Sequence, residues 1–319
     1  MKRIFISLGM ILFSFAGSSQ KITTTDTTKK QINLTEVVVS VNKWEQKLNE
    51  VPNKITKINK TEIIRNNPQT AADLLGQTGT VFIQKSQLGG GSPMIRGFAT
   101  NRILLVIDGV RMNNAIYRSG NLQNIISIDA LGTQTAEVIF GPGSLIYGSD
   151  AIGGVMDFHS LNAGFSKDKK MLVSGSALAR YSTANKENTF HADINLGFKR
   201  WSLLSSVTYS KFDDLKMGKH GGQSSYLRPE YVERINGIDS IVKNSNSRIQ
   251  RFSGYEQINF LQKIRYKPTE HFDIQYSFTY AGTGNAPRYD RLIQYRSGKL
   301  RFAEWNYGPM LWRMHNLLM

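Results

Sequence analysis

Two different periodicities divide this chain. Between residues 45 and 160, short apolar runs of mixed period are broken by glycines, as in a small mixed α/β domain. Beyond residue 170 the pattern turns to long, strict alternation. Phe190, Ala192, Ile194, Leu196 and Phe198 interleave with His191, Asp193, Asn195, Gly197 and Lys199. Phe272, Ile274, Tyr276, Phe278 and Tyr280 interleave with Asp273, Gln275, Ser277 and Thr279, and residues 201–210 and 258–266 repeat the theme less cleanly. A period of two puts the apolar side chains on one face of a strand. Segments of this length with aromatic ends suit a transmembrane barrel, although a soluble β-sandwich also alternates. Connection lengths favour the barrel. Residues 213–251 form a long polar stretch rich in Gly, Ser and Asn, whereas Lys199-Arg200 is a tight turn. Long loops on one side and short turns on the other are the habit of outer-membrane barrels.

In the first half, Lys60–Asn66 predicts a helix stopped by Pro68, and Thr70-Ala71-Ala72-Asp73 a capping-box start for a second helix ending at Gly76. Asp108-Gly109, between two apolar runs, predicts a two-residue type I′ hairpin. Residues 136–158 read as a strand, a turn forced by Gly141-Pro142-Gly143, a short helical turn and a second strand from Ile152: a compact βαβ-like corner. Gly89-Gly90-Gly91 and Gly120-Asn121 predict flexible loops. A polar, basic linker at 161–170 separates the halves.

Residues 1–20 begin with Lys2 and Arg3, run apolar through Phe15 and end in small residues. This predicts a secretory signal peptide cleaved near Ser19-Gln20, since the apolar core is too short to span a bilayer. Residues 21–33 are polar and Thr/Lys-rich, so disorder is expected. Residues 34–41 then form a β-prone island. It suits addition to a partner's sheet edge, and equally the first strand of the domain that follows.

With Lys2 and Arg3 removed, 38 basic residues face 24 acidic ones, a net charge of +14. Nucleic-acid binding is one reading of such a chain. The scatter of the basic residues in a secreted protein favours a surface facing anionic lipid head groups instead. The chain has no cysteine, which excludes a lipoprotein and a disulfide scaffold. No later segment is long and apolar enough for a membrane helix, so any span must be a barrel. No catalytic constellation is present. Gly89–Ser92 is followed by no Gly-Lys-Ser/Thr, Gly141-Pro142-Gly143 lacks a dinucleotide fingerprint, and no Gly-x-Ser-x-Gly elbow occurs. The five histidines show no metal-ligand spacing.

At the level of residue identity, the first half resembles the plug domain of TonB-dependent outer-membrane receptors. The resemblance rests on residues 70–75, Ser92-Pro93-Met94-Ile95-Arg96-Gly97-Phe98, 101–114 and 137–156, in that order. It implies an α+β plug domain followed by the first strands of an antiparallel transmembrane β-barrel. The implied boundaries are signal peptide 1–20, disordered segment 21–44, plug 45–160, linker 161–170 and barrel strands 171–319. Thr35, Glu36, Val37, Val38, Val39 and Ser40 resemble the TonB box, which hands a strand to the TonB energy-coupling protein. Two departures bear on how the plug meets the barrel. Phe140 stands where the family usually has Arg, and Gln134-Thr135 stand where it has an acidic-basic pair.

The implied function is import of an iron-containing ligand: haem, iron from an iron protein, or a siderophore. Residues 287–292 and 303–309 look like the haem, haemoglobin and transferrin branch. Gln87, Ser92, Tyr117 and Arg118 are the expected ligand contacts, the last two because an aromatic face and a guanidinium suit iron chelates or haem propionates. His220 is a candidate haem ligand or a surface histidine. No resident metal or cofactor is expected; outer-membrane lipid and lipopolysaccharide are expected neighbours. A plugged barrel has about 22 strands. The residues after the linker suffice for about six, so the sequence reads as an N-terminal piece of a receptor. A periplasmic or surface adhesion protein would account for the alternation, but not for the plug-like motifs.

Overall fold

The computed structural model describes residues 37–38, 46–47, 51–85, 87–112, 123–168, 170–220 and 226–319. The expected signal peptide, the disordered segment at 21–33 and the Gly120-Asn121 loop lie outside them. Strands β1 (Val37–Val38) and β2 (Gln46–Lys47) pair antiparallel in a ladder of their own, separate from the larger sheets.

Local sequence chemistry then places each element of the α/β domain. After β3 (Ile55–Asn59), Asn59 caps helix α1 (Lys60–Asn66) reciprocally with Glu62, and Asn67 ends it in the left-handed conformation ahead of Pro68. Thr70 and Asp73 form the expected capping box of α2 (Ala71–Gly76). Strands β4 (Phe82–Gln84) and β5 (Ser92–Met94) pair with each other. β6 (Ile103–Ile107) and β7 (Val110–Arg111) meet at Asp108 (φ 46°) and Gly109 (φ 80°), the two positive φ values that a type I′ turn needs.

β8 (Thr133–Phe140), helix α3 (Ser144–Tyr147) and β9 (Gly154–Ser160) follow, and the sheet order is β3-β8-β9-β6-β7. The expected βαβ-like corner takes another form: β8 and β9 are antiparallel, and the parallel partner of β9 is β6. The chain doubles back because Gly143 N donates to Ala151 O at 2.8 Å and Gly141 N to Gly153 O at 3.4 Å, which extends the hairpin through the connection. One sheet face packs on α1 and α2 through Ile63, Leu74, Leu75, Met156 and Phe158. The other packs on Val51, Tyr147 and Ala151. Each fully buried Leu or Ile contributes about 1.5–3 kcal/mol.

The second half is a six-stranded antiparallel wall, β10 (Leu172–Ser182), β11 (Glu187–Gly197), β12 (Trp201–Phe212), β15 (Tyr255–Thr269), β16 (Phe272–Thr283) and β21 (Leu311–Leu318). Its register is unbroken from β10 to β12. The face against the α/β domain is polar and buried: Thr189, His191, Asn195, Ser206, Thr208, Gln257, Asn259 and Ser277. The opposite face is apolar and exposed, with Phe190 at 57%, Ile194 at 47%, Val207 at 42% and Leu317 at 57%. A soluble sandwich has the reverse arrangement, so the wall is built for lipid. Trp201 stacks on Tyr266 at 4.2 Å at the tight-turn end, where an interfacial aromatic belongs.

The long connection at 213–251, expected as a loop, contains a hairpin, β13 (Glu230–Ile235) and β14 (Ile238–Lys243). Its cause is Asn236-Gly237 (φ 51° and 81°), a type I′ signal. The next connection holds β17 (Ala286–Pro287), α4 (Tyr289–Leu292), β18 (Tyr295–Arg296), β19 (Lys299–Leu300) and β20 (Asn306–Tyr307).

Candidate functional site between the domain and the wall

A ladder of polar contacts runs down the wall. Near the long-loop end, Glu187 is fully buried and accepts from Arg180 Nε at 2.7 Å, Thr189 Oγ1 at 2.6 Å and Gln69 Nε2 at 2.5 Å. Arg180 Nη1 in turn donates to Asn67 Oδ1 at 2.8 Å and Pro68 O at 3.0 Å, which grips the α1–α2 corner. Midway, Thr208 Oγ1 donates to Asp129 Oδ2 at 2.6 Å, and Gln257 Nε2 to Ile126 O at 2.6 Å. Lys60 donates to Leu131 O beside Asp129, and burial holds its ammonium below the ordinary lysine value despite the attraction of Asp129 and Asp193. Near the tight-turn end, Lys263 reaches Asp108 at 3.3 Å and Asn316 Nδ2 donates to Asp108 O at 3.0 Å. The linker is fixed there by Asn195 and Ser202, which hold the backbone of Gly164.

At the long-loop end a cavity of about 650 Å³ opens among Lys186, Lys211, Lys216 and Arg251, the carboxylates Asp213, Asp214 and Glu256, and the rings of Phe252 and Tyr255. Arg251 pairs with Asp214 at 3.5 Å, and the lysines beside the aromatic faces are the groups that suit an anionic, conjugated ligand. Phe212 stacks on Tyr255 at 4.8 Å, and this pair packs with Ala286 against Leu88 of the α/β domain. Gly89 lies so close that an added Cβ would stand 2.9 Å from Ala286 Cβ and 3.0 Å from Tyr255 Cγ. The Gly89-Gly90-Gly91 run, expected as a flexible loop, is therefore buried, and its glycines serve close packing.

Of the expected ligand contacts, Gln87 and Ser92 are each 5% exposed, Ser92 in register with Gln84 in the β4–β5 ladder. Both are buried in the segment that includes Leu88 and Gly89. Tyr117 and Arg118 lie outside the described residues. Of the strand-donor residues, Val37 and Val38 form β1, and Thr35, Glu36, Val39 and Ser40 lie outside. His220 is exposed. Among the described residues no cluster of three His, Cys, Asp or Glu side chains could hold a metal ion. Phe140 is 6% exposed in the domain core, with Lys54 Nζ at 5.5 Å and Arg96 Cζ at 5.6 Å from its ring. The ladder residues on the wall carry no sequence motif; only their polar alternation hinted at them.

Comparisons with known proteins fit this architecture. Residues 47–155 match the family model of the TonB-dependent Receptor Plug Domain. The chain is 35% identical over 176 residues to the vitamin B12 transporter BtuB of Vibrio vulnificus (strain CMCP6), covering 54% of this chain and 26% of that protein. It is 30% identical over 142 residues to the hemin receptor of Yersinia pestis, covering 44% and 20%. The FrpB iron transporter of Neisseria meningitidis has the same fold, with a TM-score of 0.57 at 14% identity over 75% of this chain and 34% of that one. The chain spans less than half the length of these curated relatives. A plug domain set against the inner face of an antiparallel lipid-facing wall defines a plugged outer-membrane barrel. Residues 47–155 thus carry the plug domain of TonB-dependent receptors, and the curated relatives that this chain matches are transporters and receptors.

Proposed function

We propose that this receptor imports an iron-containing ligand (haem, iron taken from an iron protein, or a siderophore) with energy supplied through TonB. The observation that carries this reading is the lysine-bearing, aromatic cavity whose floor, Phe212 and Tyr255, packs with Ala286 on Leu88 of the plug. A ligand that presses on Tyr255 presses on the plug. The similarity to the Yersinia hemin receptor supports haem as the first ligand to try. On this reading residues 35–40 donate a strand to TonB, which pulls part of the plug aside. Tyr117 and Arg118 meet the ligand directly, and Gln87 and Ser92 relay its arrival.

Replacing Val38 with Pro removes a ladder donor from the strand. The variant should bind haem as tightly as the parent and fail to take it up. An unchanged uptake rate would contradict the strand-donor role. Binding of vitamin B12 in place of haem would overturn the ligand class.

A further inference from the structure

A second cavity, of about 180 Å³, lies outside the plug–wall interface, within the folded long connections. Tyr226, Arg228 and Glu230 line it from one connection, and Tyr289, Ile293 and Tyr295 from the next. Arg228 is unusual. It is 4% exposed, and among the described residues its Nε and Nη1 have no hydrogen-bond partner. Its Nη2 has only a long 3.4 Å contact to Leu292 O, and the guanidinium lies 5.1 Å from the centre of the Tyr289 ring. Burial lowers its affinity for its proton, with Tyr289, Asp214 and Tyr295 acting in the opposite sense.

The backbone here is fixed. Arg228 N donates to Ser247 O at 2.7 Å, and Asn244 Nδ2 donates to Arg228 O at 2.9 Å and Ile249 O at 3.0 Å. The guanidinium is thus held beside an open space with no carboxylate in salt-bridge contact among the described residues, an arrangement that costs up to several kcal/mol unless something enters to pair it.

We propose that this loop cavity is a binding site for an aryl carboxylate of about the size of benzoate, whose carboxylate pairs with Arg228 and whose ring lies among Tyr226, Tyr289 and Tyr295. The volume equals that of about six liquid waters, enough for one ring and its carboxyl group. Ile293, Leu227 and Leu300 supply apolar walls, which disfavour a bare inorganic ion. Glu230, whose Oε1 accepts from Tyr295 at 2.9 Å, adds negative charge to the lining and selects against a dianion such as phosphate. Tyr226 and Tyr295 are 61% and 53% exposed, so the rim can be reached from solution. The site stands apart from the plug cavity and does not depend on what that cavity imports.

The test is calorimetric titration of the receptor in detergent micelles with sodium benzoate, benzyl alcohol and inorganic phosphate. Benzoate should bind saturably, benzyl alcohol at least about tenfold more weakly, and phosphate should not displace benzoate. Arg228→Gln should lose at least about tenfold in benzoate affinity, and Tyr226→Ala, on the exposed rim where folding is not at risk, about threefold or more. No saturable benzoate binding, equal binding of the alcohol, displacement by phosphate, or a Tyr226→Ala variant that binds as the parent does would each overturn the proposal.

Discussion

The ammonium of Lys263, on the barrel wall, lies 3.3 Å from the carboxylate of Asp108, at the tip of the plug's β6–β7 hairpin. Their side chains are 2% and 6% exposed. Ser160 completes the arrangement: its N donates to Asp108 Oδ1 at 2.9 Å, and its carbonyl lies 3.4 Å from Lys263 Nζ. The lysine contacts are longer than a tight charge-assisted bond, so the pair latches plug to wall mainly through charge. Removing one partner strands the other, at a cost of about 3–5 kcal/mol. Asp108→Asn keeps a residue that tolerates the positive φ, and Lys263→Met keeps the length of the stem. Each single change should speed amide exchange in β6 and β7, and the double variant should exchange more slowly than the sum of the singles implies. Strict additivity would show that the two groups do not couple.

Gly153 tests the plug's internal packing. A Cβ there would stand 2.3 Å from Phe98 Cβ. Gly153→Ala should destabilise the plug by about 1–3 kcal/mol, and adding Phe98→Ala should recover part of that loss. Urea unfolding of the single and double variants measures both.

Val207 tests which face of the wall meets lipid. It is 42% exposed in the middle of β12, between buried Ser206 and Thr208. Val207→Arg should cost about 2–4 kcal/mol when the receptor folds into bilayers, and Val207→Leu almost nothing. Equal costs for the two would put Val207 out of contact with the bilayer core.

Asp157 gives the plug a pH dependence. It lies across the ladder from Glu137, accepts from Tyr147 Oη at 3.0 Å, and sits 3.9 Å from His159 Nε2. Burial raises its carboxyl from 3.8 to about 6; His159 and Tyr147 oppose the shift, and Glu137 and Asp108 add to it. The folded plug therefore keeps this proton longer than the unfolded chain. The stabilisation is present in full below pH 3.8 and is lost as pH rises through about 6. The swing amounts to about 3 kcal/mol. Asp157→Asn should remove it, so the variant gains more stability over the parent at pH 7 than at pH 4. Denaturant titrations at the two pH values read the difference, and an equal gain at both would place the titration elsewhere.

Much of the fold was legible because its signals are local. Thr70 and Asp73 are three positions apart, and Asp108-Gly109 is a dipeptide, so each fixes its element without help from the rest of the chain. Asn236-Gly237 carried the same signal, but its flanking strands, Glu230–Ile235 and Ile238–Lys243, are half polar and mostly exposed, and their weak alternation hid the hairpin. The plug–wall ladder was not legible. Asn316 and Asp108 stand 208 positions apart, and no spacing rule links them. Gln87 and Ser92 showed the opposite effect: polar residues beside glycines read as an open loop, yet both are buried, and the glycines between them pack closely against Tyr255, Gln87 and Ala72.

On the proposed mechanism, the plug must move away from the wall for transport. The chain has no cysteine, so one engineered pair gives an unambiguous lock. Asp129→Cys with Thr208→Cys joins the plug to the wall at a point where the two side chains already meet at 2.6 Å. The oxidised receptor should still bind haem but not take it up, and dithiothreitol should restore uptake. Undiminished haem uptake by a fully cross-linked receptor would contradict this mechanism.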